Sequence, residues 1–309
     1  MINCLHLRYF IIVFAIVTIA SCDNNKELGQ EKEKRYLSQY LDSKNIDIEP
    51  LSSGLYYISN VEGAGIMPEI DDWVIIQYTA KMINDNVLDT TDEELAIING
   101  LYSTLNLYGA RRISLNSIAV KGVQEGLMLM KEGGEGTFII PSHLAYGNRT
   151  SVGIPPYTTL IYDVELIKVI KNPVEYENQM IEDYISMYSD SAHLVVEKRT
   201  SGLYYIEISE GTGDSKPEEN DDVSVYYHGS LTDGRIFDSN IGGNSYTFTI
   251  HGNSAISGFE EGVSLMKKNG TSRILIPSSL GYGTEGSGDK IVGYTPLVFD
   301  LELIDIQKH

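Results

Sequence analysis

The sequence predicts an α+β protein made of two copies of one domain, each a group of antiparallel strands with a single short helix. Three observations carry that expectation. Ser53-Gly-Leu-Tyr-Tyr-Ile58 recurs as Ser201-Gly-Leu-Tyr-Tyr-Ile206, six identical residues 148 positions apart. Segments such as Val223-Ser-Val-Tyr-Tyr227, Tyr246-Thr-Phe-Thr-Ile250, Arg273-Ile-Leu-Ile276 and Leu297-Val-Phe-Asp-Leu-Glu-Leu303 are rich in β-branched and aromatic residues with partial alternation. Phe259, Val263 and Met266 fall at i, i+4 and i+7, and Val123, Leu127 and Met130 repeat the spacing, so each copy has one short helix.

The chain has 309 residues, room for two domains of ordinary size, and 42% of them are hydrophobic, enough for packed cores. Its 23 basic and 43 acidic residues give a formal charge of −20. There is no broad cationic surface to neutralise phosphates, which argues against nucleic-acid binding and for a solvated acidic surface.

The first residues read as a targeting segment. Arg8 precedes the apolar run Tyr9 to Ala20, too short to span a bilayer and of the length of a signal-peptide core. The run ends in Ile19-Ala20-Ser21-Cys22, which resembles a bacterial lipobox. That resemblance implies cleavage before Cys22 and acylation of its thiol and amine, with several buried chains giving a stable anchor. A plain secretory signal with a chance cysteine is the alternative. Cys4 and Cys22 are the only cysteines, so the processed chain would hold no disulfide. The expected location is the bacterial cell envelope, lipid-anchored and periplasmic or surface-facing.

A short amphipathic helix is expected before each copy. Tyr36, Leu37, Tyr40 and Leu41 form an apolar stripe at helical spacing, repeated by Met180, Ile181, Tyr184 and Ile185 and extended by Tyr188. Pro173 suits the start of the second helix. Docking of each stripe on the neighbouring domain is the expectation; a dimerisation or substrate-cradling helix is the alternative. The resulting division is 1–21 signal peptide, 22–49 linker with a short helix, 50–171 first domain, 172–199 connecting helix and 200–309 second domain.

Further matches join the copies. Asp71-Asp72 and Asp221-Asp222 each lead into a strand, ending at Tyr78 and Tyr227. Ile139-Ile140-Pro141 with Tyr146-Gly147 is echoed by Leu275-Ile276-Pro277 with Tyr282-Gly283. Thr232-Asp233-Gly234 is a hairpin-type turn. In the second copy Val225-Tyr-Tyr-His-Gly-Ser-Leu-Thr-Asp-Gly-Arg-Ile-Phe-Asp-Ser239 is followed in order by Gly258-Phe-Glu-Glu-Gly262, Met266, Gly270, Ile276-Pro277, Tyr282-Gly283 and Val298-Phe-Asp-Leu-Glu-Leu303. From about Ser201 to Ile306 this ordered set resembles the FKBP-type peptidyl-prolyl cis/trans isomerases. The resemblance implies a curved antiparallel sheet around a short helix in each copy, and isomerisation of X-Pro bonds in folding clients.

The resemblance also assigns a site. Asp238, Tyr282, Phe237 and Phe259 would carry catalysis, with Asp238 at the rim and Tyr282 donating its hydroxyl to a substrate carbonyl. Tyr227, Tyr246, Phe248 and Phe299 would complete an aromatic cavity, with aliphatic walls from Ile256 and Ile291. The backbone N–H of Ile256 would bind a second carbonyl. Two features depart from the family pattern: Phe259 stands where a Trp is usual, and Ile291-Val-Gly replaces Ile-Pro-Pro. Such a site needs no metal or cofactor. The amide rotation barrier is about 18–20 kcal/mol and comes from resonance. The twisted bond has lost that resonance and is less polar, so a dry apolar cavity favours it. Partners would be proline-containing proteins and macrolide FKBP inhibitors.

The first copy has drifted. It keeps Tyr78, Asp89, Tyr146 and Ile154-Pro155-Pro156, with Val120 in the place of Ile256. Leu88 stands for Phe237, Val123 for Phe259 and Tyr162 for Phe299. Asp89 to Gly122 spans 33 residues against 20 from Asp238 to Gly258, an insertion of 13. Weak catalysis is therefore expected there, with activity mainly in the second domain. A non-catalytic chaperone or assembly factor that only holds peptides is the rival reading. A scaffold using its acidic face is a third, resting on charge alone.

Overall fold

The structure is a computed structural model describing residues 28–192, 195–213, 215–252 and 254–309. Cys22 and the apolar run before it lie outside the described residues. The described chain divides into two compact units, one of residues 28–102 and 108–171 and the other of residues 103–107 and 172–309.

The first unit begins with helix α1 over 28–43. Its strands are β1 (Tyr56–Val61), β2 (Trp73–Met82), β3 (Val87–Thr90), β4 (Arg111–Ser114), β5 (Gly134–Ile140) and β6 (Leu160–Ile170). Between β3 and β4, within the insertion, lies α2 (Glu93–Ile98), and α3 (Lys121–Leu127) follows β4. The sheet order is β1-β5-β6-β2-β3, antiparallel throughout. One edge of β2 has two partners: β4 covers Trp73–Ile76 and β3 covers Thr79–Lys81. Handing one edge from strand to strand, with a bulge at Ile75/Ile76 against β6, curls the sheet around α3.

The second unit repeats this plan. Helix α4 (Pro173–Ala192) precedes β7 (Glu197–Lys198), β8 (Tyr204–Ser209), β9 (Asp222–Leu231), β10 (Ile236–Ser239), β11 (Tyr246–Thr249), α5 (Ser257–Ser264), β12 (Thr271–Ile276), β13 (Gly286–Ser287), β14 (Ile291–Val292) and β15 (Leu297–Gln307). The main sheet runs β10-β9-β15-β12-β8-β7, with β11 on the first half of β9. The α+β class and the short central helix are as the sequence predicts, and α4 is longer than the short helix expected there. Its start is fixed by Pro173 in the first turn and by Asn172, whose side-chain oxygen accepts from the N–H groups of Val174 and Glu175.

The central helices lie close to their sheets because they carry glycine at i and i+4. A Cβ on Gly258 would lie 2.4 Å from Ile276, and one on Gly262 2.7 Å from Ile274. Gly122 and Gly126 give the same values against Ile140 and Phe138. Beside these glycines Phe259 and Val263 of α5 enter the same core, with Val223, Val225, Phe248 and Leu301, and Met266 joins it just past the helix end. Helix α4 covers the other face of the sheet, where Ile181 packs on Leu275 and Val298. There Arg273 holds Asp300 through two bonds of 2.6 and 2.7 Å and lies 4.7 Å from the centre of the Tyr188 ring. The apolar stripe of α4 therefore docks on its own unit.

Candidate functional site

The second unit carries a cavity of about 440 Å³ lined by Tyr227, Phe237, Asp238, Tyr246, Ile256, Phe259, Tyr282, Ile291 and Phe299. Each arrives from a defined place. Tyr227 is on β9 and Phe237 and Asp238 are on β10. Tyr246 opens β11, Ile256 is the N-cap residue of α5, and Phe299 is on β15. The rings form a contiguous wall: Phe259 lies 5.0 Å from Phe299 and 5.7 Å from Tyr227, both edge-on, and Phe237 meets Phe299 edge-on at 5.4 Å. These are favourable aromatic geometries, and they leave ring faces for a guest. Phe248 does not join the wall; it is buried, stacked behind Tyr246 at 5.3 Å and tilted against Phe259.

The polar groups sit at the rim. The Tyr227 hydroxyl donates to Asp238 Oδ2 at 2.7 Å, and the Ser239 N–H donates to Oδ1 at 2.9 Å. Both carboxylate oxygens are thus held while Asp238 itself stays exposed. Burial, with the Asp238 carboxylate behind it, pushes the Tyr227 phenol well above its usual range. Burial first and Asp238 second also raise Tyr282, which is 38% exposed at the cavity mouth. Both phenols therefore stay protonated as donors at neutral pH.

The loop bearing Tyr282 follows a one-turn 3₁₀ segment, Ser278–Leu280. It continues into the β13–β14 hairpin that brings Ile291 to the wall. Lys290 Nζ donates to the carbonyl of Phe237 at 3.1 Å, tying the hairpin to β10. No sequence reasoning singled out Lys290, whose spacing to any motif is set by a loop. Gly229 was also missed as a determinant. A Cβ there would stand 2.7 Å from the Phe237 ring and 2.9 Å from Phe299.

In the first unit the same framework holds a different set. Tyr78 donates to Asp89 Oδ2 at 2.5 Å, as Tyr227 does to Asp238. Val120 is the N-cap residue of α3, Ile154 is buried, and Tyr162 lies 5.9 Å from Tyr78. Burial is the main cause raising both phenols, Tyr78 and Tyr162. Tyr146 follows the 3₁₀ segment Ser142–Leu144, as Tyr282 follows its own. Strand register exposes further replacements. Arg111 pairs with Ile76 as Tyr246 pairs with Val225, and Ile113 pairs with Val74 as Phe248 pairs with Val223. Ala80 pairs with Asp89 as Gly229 pairs with Asp238. Arg111 Nη1 donates to the Tyr78 hydroxyl at 3.1 Å, and its guanidinium lies 5.9 Å from the ring centre. Phe138, fully buried, occupies the position of Ile274, supplying beneath α3 some of the bulk that Val123 lacks.

An antiparallel sheet curled on a short helix, with a ring-walled cavity at the helix N-terminus, makes a candidate site for a compact apolar group. The family model for the FKBP-type peptidyl-prolyl cis-trans isomerases matches residues 65–167 and 213–304, and the chain belongs to that family. A relative from Aeromonas hydrophila, the FKBP-type peptidyl-prolyl cis-trans isomerase FkpA, is 34% identical over 194 residues, 62% of this chain and 65% of that protein. A probable FkpA from Neisseria meningitidis is 41% identical over 112 residues, 36% of this chain and 40% of its own. The crystal structure of FkpA from Escherichia coli covers 43% of this chain and 61% of that one, at 31% identity and a TM-score of 0.39. The chain thus spans less than two thirds of the length of these relatives. Among the described residues no helix is long and apolar enough to cross a membrane.

Proposed function

We propose that this chain isomerises X-Pro peptide bonds in folding client proteins of the bacterial cell envelope, with the second unit as the main catalyst. The observation that carries the reading is the cavity of Tyr227, Phe237, Phe259 and Phe299, with Asp238 and Tyr282 at its rim. A proline ring fits among the faces of such rings through apolar area. Tyr282 and the Ile256 N–H then hold the flanking carbonyls. Removing water from the bond favours its twisted, less polar state. The same cavity is expected to take macrolide FKBP inhibitors. The domain bounds 50–171 and 200–309 remain part of this reading, as does Cys22 as the lipidated N-terminus after removal of 1–21.

The test is a protease-coupled isomerisation assay on a Phe-Pro peptide with the full chain. Phe237→Ala with Asp238→Ala should remove most of the rate, whereas Asp89→Ala should remove little. A folded chain whose rate survives the first pair, or is lost with Asp89→Ala, overturns the assignment. For the anchor, Cys22→Ala should release the protein from the membrane fraction; unchanged association and mass would refute it.

A second reading, peptide holding by the first unit, is favoured by one observation. Helix α2 of the insertion leaves Ile97 58% and Ile98 72% exposed on adjacent residues. Ile97→Ser with Ile98→Ser should then weaken suppression of client aggregation without changing the isomerase rate.

A further inference from the structure

Each unit opens with a helix, and each helix sends one glutamate into the same place. Glu177 of α4 is only 7% exposed. Its Oε1 accepts from the Ser278 N–H at 2.5 Å and its Oε2 from the Ser278 hydroxyl at 2.7 Å. In the first unit Glu33 of α1 takes the N–H and hydroxyl of Ser142, both at 2.6 Å, and also the Thr159 hydroxyl at 3.0 Å. The two glutamates hold the same register to their apolar stripes: Glu33 precedes Tyr36, Leu37 and Tyr40 as Glu177 precedes Met180, Ile181 and Tyr184.

Ser278 is the hub of the loop that presents Tyr282. Its carbonyl accepts from the Gly281 N–H at 2.9 Å and from the Gly283 N–H at 2.8 Å, the residues on either side of Tyr282. Ser142 does the same for Ala145 and Gly147 around Tyr146, at 2.9 and 2.7 Å. A short chain of bonds therefore runs from a carboxylate on the outer helix, through one serine, to the backbone on both sides of the rim tyrosine. A carboxylate accepting two bonds from one residue fixes orientation as well as distance, and charge-assisted bonds are the stronger kind. A loop carrying a donor into a cavity gains rigidity from such support, and donors are effective only when held in place.

We propose that Glu177 is a positioning residue for the isomerase, holding Tyr282 in donating geometry through Ser278. The proposal rests on the reading of the second-unit cavity as the active site. It assigns the helix before each domain a part in the chemistry as well as in packing.

The experiment uses the full chain and reads kcat/KM on a Phe-Pro peptide, after subtracting the rate left in the Phe237→Ala/Asp238→Ala chain. Glu177→Ala should lower kcat/KM about 5–20-fold, the loss of one or two charge-assisted bonds in support of the donor. Glu177→Gln, which keeps an acceptor for the Ser278 N–H, should recover to within about threefold. The decisive comparison is with Tyr282→Phe: if Glu177 acts through Tyr282, Glu177→Ala should cost less than about twofold in that background. An equal loss in both backgrounds, or none in a folded chain, overturns the proposal. If Glu177→Ala unfolds the second unit, Ser278→Ala must show the same coupling to Tyr282→Phe, and its absence overturns the proposal equally. A second measurement does not depend on catalysis. Amide exchange at Gly281 and Gly283 should accelerate at least tenfold in Glu177→Ala and by less in Glu177→Gln, and unchanged exchange in Glu177→Ala refutes the tether. A wild-type chain with no rate but with this exchange change would overturn the proposed function and uphold the tether.

Discussion

Replacing Phe237 by Leu converts one wall of the second-unit cavity into its first-unit counterpart, Leu88. In the structure Phe237 is half-buried, meets Phe299 edge-on at 5.4 Å and faces the cavity with its free side. The edge-on pair contributes about 0.5–1.5 kcal/mol beyond area burial. A bound proline would also lose contact worth about one methylene, ~0.8 kcal/mol. The ring pair is present in the free and the bound chain alike, so its loss counts against stability, and the lost contact alone weakens binding of the twisted state by ~0.8 kcal/mol. At 1.36 kcal/mol per factor of ten, kcat/KM should fall about fourfold. Because Phe237 is only half-buried, stability should drop by about 1 kcal/mol, a few degrees in Tm. The assay is protease-coupled isomerisation of a Phe-Pro peptide with the full chain, with thermal unfolding alongside. A folded variant within twofold of wild type would refute the argument that this ring grips the proline.

Three further outcomes are expected. Gly229→Ala places a methyl 2.7 Å from the Phe237 ring and must displace it, so kcat/KM should fall about tenfold with a smaller change in Tm; an unchanged rate would mean Phe237 can yield without loss. Arg273→Ala breaks two bonds to Asp300 and uncovers the Tyr188 ring, which should cost about 1–2 kcal/mol in denaturant unfolding, and Arg273→Lys should recover only part of it. Tyr78, Tyr162 and Tyr227 have phenols raised in the folded state, so above about pH 10 the unfolded chain loses protons that the folded one keeps. Their contribution is fully present below that pH and is lost as pH rises towards the folded values, so Tm should decline on the alkaline side; a flat Tm from pH 9 to 11 would contradict it.

The repeat, the class of the fold and the short central helix were legible because they rest on local signals: identical hexapeptides, β-rich runs and the i, i+4, i+7 spacing. Most of the second-unit cavity was legible for the same reason, since its residues stand in motifs of fixed order. Strand register was not legible, and much of the first unit's divergence depends on it. The 13-residue insertion breaks the alignment before β4, so Arg111 and Ile113 could be matched to Tyr246 and Phe248 only through their pairing with β2. The pair Ala80 with Leu88 against Gly229 with Phe237 is of the same kind. With a methyl at Ala80 the space that a phenylalanine ring takes beside Gly229 is gone, so the two changes belong together. Phe248 was misleading in the opposite way: an aromatic at a strand position beside the cavity, it faces the core behind Tyr246. Glu33 and Glu177 stood in plain register to the apolar stripes. A lone acid on an amphipathic helix is ordinarily a solvated one, and its partner serine is more than a hundred residues away.

That distance has a kinetic consequence. Glu33 meets Ser142 across 109 residues and Glu177 meets Ser278 across 101. The sheet order β1-β5-β6-β2-β3 likewise sets first-synthesised strands beside late ones. Ordering such distant partners costs loop entropy before any contact repays it, so folding of each unit should be slow for its size. During synthesis neither outer helix can dock until the last long strand of its unit has emerged. The first unit reaches that point at Ile170, before any strand of the second exists, so the two should acquire their structure one after the other.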